Sequence, residues 1–218
     1  MTYAEFITNC IKQEKPRQPI YTGDLAKRVA TAFQMETPKA NAAVSVAMKR
    51  LIDQKRVSNL RYYQKGIYFL TVRTPFGEAG IDKDALIWRK YLAHDNGYET
   101  GYTVLYRLGL TTQLPKERTI VTNRAKDGQR DDRNLDVVIR PPKVQVNAQN
   151  KRYLQVLDVL ELMDKAPVDA ETPYRILAQH LNRCGLHYQE LLALADRYYS
   201  QKTVLKLGHI AATEGVET

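Results

Sequence analysis

Three side chains near position 180 have the types and the spacing of a zinc site. His180, Cys184 and His187 follow one another at intervals of four and three residues, which on one continuous helix places them on one face. Gly185 is expected to end that helix, and the sequence offers no fourth ligand nearby and no Cys-x-x-Cys pair. We therefore expect a helix end with a buried cysteine and two partly exposed histidines, and neither a metal nor another cofactor.

A second group of candidate ligands consists of the carboxylates of Asp131, Asp132 and Asp136. Oxygen ligands of this kind hold Mg²⁺ in enzymes that transfer phosphoryl groups. No Asp-x-Asp strand follows at the spacing that such enzymes need, and the interspersed Arg130 and Arg133 favour an ion-paired loop. No nucleophile, base and stabilising group can be named together, so we expect a protein that is not an enzyme. A metal-dependent enzyme that acts on a nucleotide is the alternative.

Positive charge is concentrated in the first third of the chain. The protein has 218 residues and a net charge of +9, and residues 1–73 contain 13 Lys and Arg against 5 Asp and Glu, a net charge of +8. Such polarity is typical of a module that binds a polyanion, because Lys and Arg that neutralise phosphates release condensed counterions. The alternative is a basic domain whose charge only keeps it soluble.

Hydrophobic periodicity predicts three helices in this basic segment. Apolar residues recur at helical spacing over residues 2–13, 22–34 and 39–54, with Thr22 as the expected N-cap of the second helix and Pro38 at the start of the third. Three helices, of which the last two are joined by a short turn, follow the order of a helix-turn-helix motif. The third helix is then the one expected to lie in the major groove of DNA.

The third predicted helix divides into a buried stripe and a polar outer face. Its apolar stripe consists of Val44, Met48, Leu51 and Ile52. The residues expected to contact base edges from the opposite face are Asn41, Ala42, Ser45 and Lys49. Small side chains near the start of the helix allow a close approach to the bases, while Lys39 and Arg50 are expected to reach flanking phosphates. The alternative is an ordinary amphipathic helix whose outer face is solvated.

Two short strands, at residues 56–60 and 66–70, are predicted to form a hairpin joined through residues 61–65. A hairpin in this place would serve as a wing beside the helices. The wing side chains expected to bind phosphates are Arg56, Arg61, Tyr62 and Lys65. For Tyr62 and its neighbour Tyr63, packing beneath the wing is the equal alternative.

A turn region that begins at Thr74 marks the predicted boundary between a first domain at residues 1–73 and a second at residues 74–218. The second domain is predicted to mix short helices and strands before it ends in helices. The predicted helices are residues 83–93, 102–108, 153–163, 172–183 and 188–199, and the predicted strands are 119–122, 135–139 and 144–146, with a turn at 96–97 and a charged loop at 124–133. The fold class expected for the chain is therefore α+β, with an N-terminal winged helix-turn-helix followed by a mixed α/β domain.

Several stretches of the chain match a known family pattern. Residues 101–115 read GYTVLYRLGLTTQLP and residues 119–123 read TIVTN, so that a helix leads into a Gly-Leu-Thr-Thr-Gln-x-Pro turn and then a strand that ends in Thr-Asn. The wing segment at residues 65–69 reads KGIYF and follows a basic N-terminal segment. In these features the chain resembles the AbiEi family of antitoxin-repressors over nearly its whole length.

The resemblance implies a function for each domain. The winged N-terminal domain would act as a transcriptional regulator that represses its own operon by binding inverted repeats in the promoter. The C-terminal domain would counter a nucleotidyltransferase toxin of the AbiEii kind. In that family the antagonism is of type IV, without a stable complex of toxin and antitoxin, and it belongs to abortive infection, a form of phage defence. A sequence-specific autorepressor and antitoxin is therefore the function that we expect.

Another basic stretch lies in the second domain, where residues 116–152 contain 10 Lys and Arg against 5 Asp and Glu. It would form a second surface for nucleic acid, or else its charges are scattered and solvated. A module whose basic face binds an acidic protein is a further alternative to the repressor.

The expected location is the cytoplasm. Residues 1–11 lack the basic start and the unbroken apolar core of a secretory signal, and no run of about 18 apolar residues suggests a membrane span. Cys10 and Cys184 are far apart in the chain, as expected of reduced thiols.

Overall fold

The computed structural model describes residues 1–213 of the chain. These residues form a mixed α+β fold, which confirms the α+β class expected from the sequence. The chain divides into two compact units, of which the first is Met1–Leu86 and the second begins at Ile87. Residues 74–86 therefore belong to the first compact unit. No helix in the described part of the chain is both long enough and apolar enough to cross a membrane.

Three helices make up most of the first unit: α1 (Tyr3–Gln13), α2 (Thr22–Phe33) and α3 (Thr37–Asp53). All three helices predicted from the periodicity are confirmed, with ends that differ by one or two residues. Their facing sides bury a common core that includes Ile7, Ile11, Leu25, Val29, Val44 and Met48. Removing this apolar surface from water, at about 25 cal/mol per Å², stabilises helices that would not persist alone.

Local chemistry sets the helix ends, with one difference from expectation. Thr2 caps α1 in a capping box, because its hydroxyl oxygen accepts from the N–H of Glu5 at 3.3 Å while the Glu5 carboxylate accepts from the N–H of Thr2 at 2.8 Å. Pro38 lies in the first turn of α3, as predicted. The prediction of Thr22 as an N-cap is wrong: it is the first residue of α2, and its N–H donates to the carbonyl oxygen of Gly66 at 2.9 Å. A neighbouring hairpin, rather than a side-chain cap, thus satisfies the start of α2.

A three-stranded antiparallel sheet completes the core elements of the first unit. It consists of β1 (Ile20–Tyr21), β2 (Leu60–Gln64) and β3 (Ile67–Leu70), with β3 in the centre. The two-residue strand β1 was not predicted. It is too short to show an alternation of apolar and polar residues, and it forms because its backbone pairs with the edge of β3.

The predicted hairpin exists, but the position of its first strand was wrong. Residues 56–59 form turns, and the strand comprises the segment that was expected to be the connection. Val57 is buried within this turn, so its apolar character reflects a turn anchor and not an inward strand position. The connection is the two-residue turn Lys65-Gly66, in which Gly66 has a φ of 78°. The hairpin is consequently short and tight.

A second, small hairpin follows, formed by β4 (Arg73–Thr74) and β5 (Gly77–Glu78). The chain after it returns to the connection between α1 and β1. The Arg17 side chain donates to the carbonyl oxygen of Gly80 at 3.1 Å, and Asp82 receives a hydrogen bond from Gln18 at 2.9 Å while its own N–H donates to the carbonyl oxygen of Arg17 at 2.8 Å. We call this set of bonds the 17–82 clamp. It joins the start of the first unit to its end.

The helix predicted at residues 83–93 is divided into three pieces. They are α4 (Lys83–Ile87), a π-helical turn (Trp88–Leu92) and a short 3-10 turn (Ala93–Asp95). His94 and Asp95 have positive φ values of 60° and 56°, which end regular helix at this point.

The second unit contains a four-stranded mixed sheet: β6 (Gly97–Thr100), β7 (Arg118–Thr122), β8 (Arg130–Asp132) and β9 (Val137–Arg140), in the spatial order β6-β7-β9-β8. Strands β7 and β9 are parallel, and the other pairs are antiparallel. The strands predicted at 119–122 and 135–139 are confirmed in substance.

Three predictions for this sheet region were wrong wholly or in part. Of the turn expected at 96–97, Asn96 forms a turn, but Gly97 is the start of β6, where it lies so close to the carbonyl oxygens of Val121 and Tyr91 that a Cβ would collide with both. The charged loop at 124–133 contains edge strand β8. Residues 144–146 form no strand, because the backbone of Val146 is hydrogen-bonded to the side chain of Asn123 instead. The amide nitrogen of Asn123 donates to the carbonyl oxygen of Val146 at 2.8 Å, and the N–H of Val146 donates to the amide oxygen of Asn123 at 2.9 Å.

Helices supply the rest of the second unit: α5 (Tyr102–Arg107), α6 (Lys151–Leu162), α7 (Pro173–Cys184), α8 (Tyr188–Tyr198) and α9 (Gln201–Ala211). The first four were predicted and are confirmed, whereas α9 was missed. The helix α6 lies at the centre of the core, with Leu154, Leu157 and Leu160 fully enclosed.

A charged group is enclosed in this core. Asp158 of α6 is only 5% exposed, and it accepts hydrogen bonds from the hydroxyls of Tyr199 at 2.8 Å and Tyr98 at 3.1 Å. The guanidinium of Arg140 approaches the same carboxylate at 3.4 Å. Burial nevertheless raises the pKa of Asp158, because removing a carboxylate from water disfavours its charged form. Its hydrogen-bond donors are therefore important to the stability of the unit.

Candidate nucleic-acid interface

The helix α3 presents all four residues that were predicted to read bases on its outer, solvent-facing side. The exposed residues of that side are Asn41, Ala42, Ser45 and Lys49. Of the predicted buried stripe, Val44, Met48 and Leu51 are buried, while Ile52 is half-buried. The structure thus brings the four residues together on one helix surface with a packed core behind them.

Two of these side chains offer hydrogen-bonding groups to an external partner. The hydroxyl of Ser45 donates to the backbone carbonyl oxygen of Asn41 at 2.9 Å, the usual bond of a serine within a helix. Its oxygen lone pairs remain able to accept. Among the described residues, the side-chain amide of Asn41 has no hydrogen-bond partner, so both its donor and its acceptor face solvent. A donor and acceptor set of this type is suited to reading base edges.

Of the residues predicted to contact DNA, five exposed cations make no ion pair with any described residue: Lys39, Lys49, Arg50, Arg56 and Lys65. By contrast, Arg28 of α2 is neutralised by Glu14 at 2.8 Å. The helix α3 contains a single carboxylate, that of its last residue, Asp53. The positive charge on and around α3 is therefore uncompensated from within the unit, which favours an anionic partner.

Arg61 differs from the other predicted phosphate-binding residues. Its guanidinium forms a two-pronged ion pair with Glu78 of β5 and also donates to the backbone carbonyl oxygens of Ser58 at 2.8 Å and Leu60 at 3.0 Å. The hydrogen bonds to Glu78 raise the pKa of Arg61 and lower the pKa of Glu78. Arg61 would have to exchange this carboxylate for a phosphate in order to bind one. Glu78 could not be predicted from the sequence as the partner of Arg61, because it lies in a separate hairpin.

Tyr62 combines the two roles that the sequence left open. Its ring packs edge-to-face against Tyr68 with 5.5 Å between centroids, yet 57% of the residue remains exposed. The neighbouring Tyr63 is half-buried. Packing therefore orients Tyr62 while its exposed part stays accessible to a partner.

A groove of about 610 Å³ lies beside the outer face of α3, between that helix and the N-terminus of α1. We call it the α1–α3 groove. Its lining includes the apolar side chains Tyr3, Ala42, Ala43 and Val46 and the cations Lys39, Arg50 and Arg56, and none of the lining residues within 1–213 is Asp or Glu. Sequence reasoning missed Val46, which is 50% exposed. The signal was present, since a β-branched apolar residue interrupts an otherwise polar helix face.

Of the carboxylates considered as a magnesium site, Asp132 is engaged by neighbouring side chains. Asp132 accepts from the ammonium of Lys90 at 2.6 Å and from the hydroxyl of Tyr91 at 2.7 Å. Burial alone would raise the pKa of Asp132, but these two bonds outweigh it and lower the pKa. Asp131 lies exposed on β8, and Asp136 is in a turn with a φ of 54°. No group of three or more His, Cys, Asp or Glu residues within residues 1–213 is arranged to hold a metal ion.

The three possible zinc ligands are also not gathered on one helix. Cys184 is the last residue of α7, and its sulfur lies 3.7 Å from a ring nitrogen of His180. Gly185 ends the helix in the left-handed conformation, as predicted, and His187 follows as the N-cap of α8. Burial lowers the pKa of His180. Cys184 is half-buried rather than buried.

The residues that carry the AbiEi resemblance stabilise the second unit. In the turn, the N–H and the hydroxyl of Thr112 both donate to the carboxylate of Asp169, the hydroxyl at 2.6 Å, and the pKa of Asp169 is lowered as a result. Leu110 is fully buried, whereas Leu114 is 75% exposed. The strand that ends in Thr-Asn places Asn123 against the backbone of Val146. The motif is therefore a set of scaffold contacts around an exposed turn.

The basic stretch at residues 116–152 is partly neutralised by ion pairs. Arg118 lies 2.7 Å from Glu99, Lys143 lies 2.6 Å from Glu161, and Lys151 lies 2.6 Å from Asp95. Its remaining charge is weaker evidence for a polyanion surface than the unpaired cations of the first unit.

A scan against known protein families finds no match to this chain, and a search of curated proteins finds none either.

Proposed function

We propose that the protein is a sequence-specific DNA-binding repressor. In this proposal α2 and α3 act as the helix-turn-helix, and the hairpin of β2 and β3 acts as a short wing. The order of the elements supports it: three helices, with a two-residue strand before the second and a hairpin after the third, surround one core.

The observation that carries the proposal is the outer face of α3. It is exposed and polar, it holds small side chains at its N-terminal end, and it has no carboxylate before Asp53. Cations lie along it and beside it without partners in the unit. A purely solvated helix face normally intersperses acidic and basic residues, because opposite charges at helical spacing stabilise each other.

The side chains have distinct proposed roles. Asn41 and Ser45 read base edges together with Lys49, and Ala42 allows the helix to approach the bases closely. The phosphate-binding set is Lys39, Arg50, Arg56, Tyr62 and Lys65. Arg61 supports the wing through its ion pair with Glu78 and joins the phosphate contacts only when that pair opens.

The test is a titration of the full chain, followed by fluorescence anisotropy, against labelled duplex from its own promoter and against a scrambled duplex at several salt concentrations. We expect tight binding to the promoter only, with the logarithm of affinity falling by about 0.9 per phosphate contact per logarithmic unit of salt. Equal, weak binding to both duplexes would contradict the proposal.

Two variants distinguish base-specific contacts from electrostatic contacts to phosphates. Asn41→Ala should lose about tenfold or more on the promoter but little on the scrambled duplex, because a lost base contact costs about 1–3 kcal/mol. Lys65→Ala should weaken both duplexes alike and reduce the salt slope by about 0.9. An equal loss on both duplexes for Asn41→Ala would refute its role as a base reader.

We further propose that the protein is an antitoxin that counters a nucleotidyltransferase toxin without forming a stable complex. This part rests on the AbiEi resemblance at residues 101–123, which lies entirely in the second unit. Co-expression with a nucleotidyltransferase encoded beside its gene should relieve the growth arrest that this enzyme causes. The Asn41→Ala variant should relieve it equally, because residue 41 lies in the first unit. Persistent arrest in the presence of the wild-type chain would contradict the antitoxin role.

A further inference from the structure

Val46 is an apolar residue placed in the middle of the polar face of α3. It lies one helical turn after Ala42 and is 50% exposed, although a valine in a helix normally contributes by being buried. It is not an isolated surface residue. Ala42, Ala43 and Tyr3 line the same α1–α3 groove, so Val46 belongs to a set of apolar residues on this surface.

The charges around this surface indicate what it contacts. The groove has Lys39 at the N-terminal part of α3 and Arg50 one turn beyond Val46, with Arg56 following the helix. Among the residues that the structure describes, no carboxylate lines it. An apolar strip between cations matches the major groove of DNA, where an apolar group on a base lies between two rows of phosphates. The apolar group that the major groove offers is the C5 methyl of thymine.

We infer that Ala42 and Val46 form a methyl-reading patch that contacts thymine, so that the preferred DNA contains a thymine whose C5 methyl enters the α1–α3 groove. This inference rests on the proposed DNA-binding function and adds a base identity to it. The hydrogen-bonding residues Asn41 and Ser45 lie on the other flank of the same helix face, so they read neighbouring positions. The patch discriminates thymine from cytosine, which carries only hydrogen at C5.

Deoxyuridine gives a direct probe of the contact, because it keeps every hydrogen-bonding group of thymidine and lacks only the methyl. Burying one methyl group corresponds to about a fourfold change in affinity. The experiment first selects the tightest-binding duplex from a randomised pool with the full chain. Each dT of that duplex is then replaced singly by dU, and binding is measured by fluorescence anisotropy for the wild type, Val46→Ala and Val72→Ala.

Val72→Ala is the matched control, because Val72 belongs to the same unit and is 40% exposed between β3 and β4. We expect at least one dT at which dU weakens binding of the wild type and of Val72→Ala by about fourfold. Val46→Ala should show a clearly smaller penalty for dU at that position, because Ala42 and the Cβ at residue 46 keep only part of the methyl contact. Thermal melting followed by circular dichroism establishes that both variants are folded.

The outcomes distinguish the inference from the function on which it rests. A selected duplex without such a dT, or a dU penalty that is as large in Val46→Ala as in the wild type, would overturn the methyl contact while leaving sequence-specific binding intact. The groove would then be open to another partner, such as an acidic protein. A pool that yields no duplex above random would overturn the proposed function and the methyl contact together.

Discussion

Replacing Tyr199 with Phe removes one hydroxyl from the core of the second unit and leaves the ring in place. That hydroxyl donates to Asp158 at 2.8 Å, and its distance to the carbonyl oxygen of Leu154 is 3.4 Å, so its proton belongs to the carboxylate. Asp158 is 5% exposed, so loss of the donor leaves a largely buried carboxylate with one hydrogen bond fewer. A buried hydrogen bond to a charged group contributes about 1.5–3 kcal/mol, so the free energy of unfolding should fall by about 2 kcal/mol.

The adjacent Tyr198 provides the control. It is half-buried, and its hydroxyl has no hydrogen-bond partner among the described residues, so Tyr198→Phe should cost about 0.5 kcal/mol or less. Urea unfolding followed by far-ultraviolet circular dichroism measures both variants, since α6, α7, α8 and α9 belong to the second unit. Equal losses for the two variants would refute the assignment of the stability to the Asp158 bond.

Three further substitutions test other contacts. Glu78→Gln should release the Arg61 guanidinium and steepen the salt dependence of DNA affinity by up to about 0.9 in logarithmic slope, and an unchanged slope would show that Arg61 takes no part in binding. Gly97→Ala should destabilise the second unit by about 1–3 kcal/mol, because the added methyl group collides with backbone atoms. Gly208→Ala should stabilise the same unit by about 0.5–1 kcal/mol, because residue 208 is an exposed helical position with open space around it. Urea unfolding that changes the stability of both variants in the same direction would contradict this. The pKa of Asp132 is lowered in the fold, so its contribution to stability is present above about pH 4 and is lost as the pH falls through the folded pKa. Asp132→Asn should therefore flatten the acid limb of a stability-against-pH profile, and an unaltered limb would disprove the effect.

The helices of the first unit could be predicted because their signal is local. Apolar residues at helical spacing, together with Pro38 and the capping pair Thr2 and Glu5, specify α1 and α3 without knowledge of distant residues. The same period identified which side of α3 faces solvent. The exposed candidate residues on this helix were therefore found from the sequence.

The parts that could not be predicted depend on residues distant in the chain. Strand β1 forms only by pairing with the edge of β3. Gly97 lies in a strand and not in a turn, and β7 approaches it so closely that no side chain would fit at this position. Arg61 was expected to be free because its partner Glu78 is 17 residues away in a hairpin whose own strands have two residues each. Local pattern carries no information about such pairings, whose formation is decided by tertiary packing.

The 17–82 clamp has a consequence for the order in which the first unit assembles during synthesis. Its side-chain bonds join residues that are 63 and 64 positions apart, so the loop between them must close before the N-terminal connection is fixed. The entropy of closing such a loop is lost in full before the bonds compensate for it. On the ribosome, α1 to α3 can form while Asp82 is still unsynthesised, but the clamp bonds of Arg17 and Gln18 wait for it. A nascent chain or proteolytic fragment that stops at Arg73 would retain the bond from the N–H of Arg17 to the carbonyl oxygen of Leu70 and would lack the clamp.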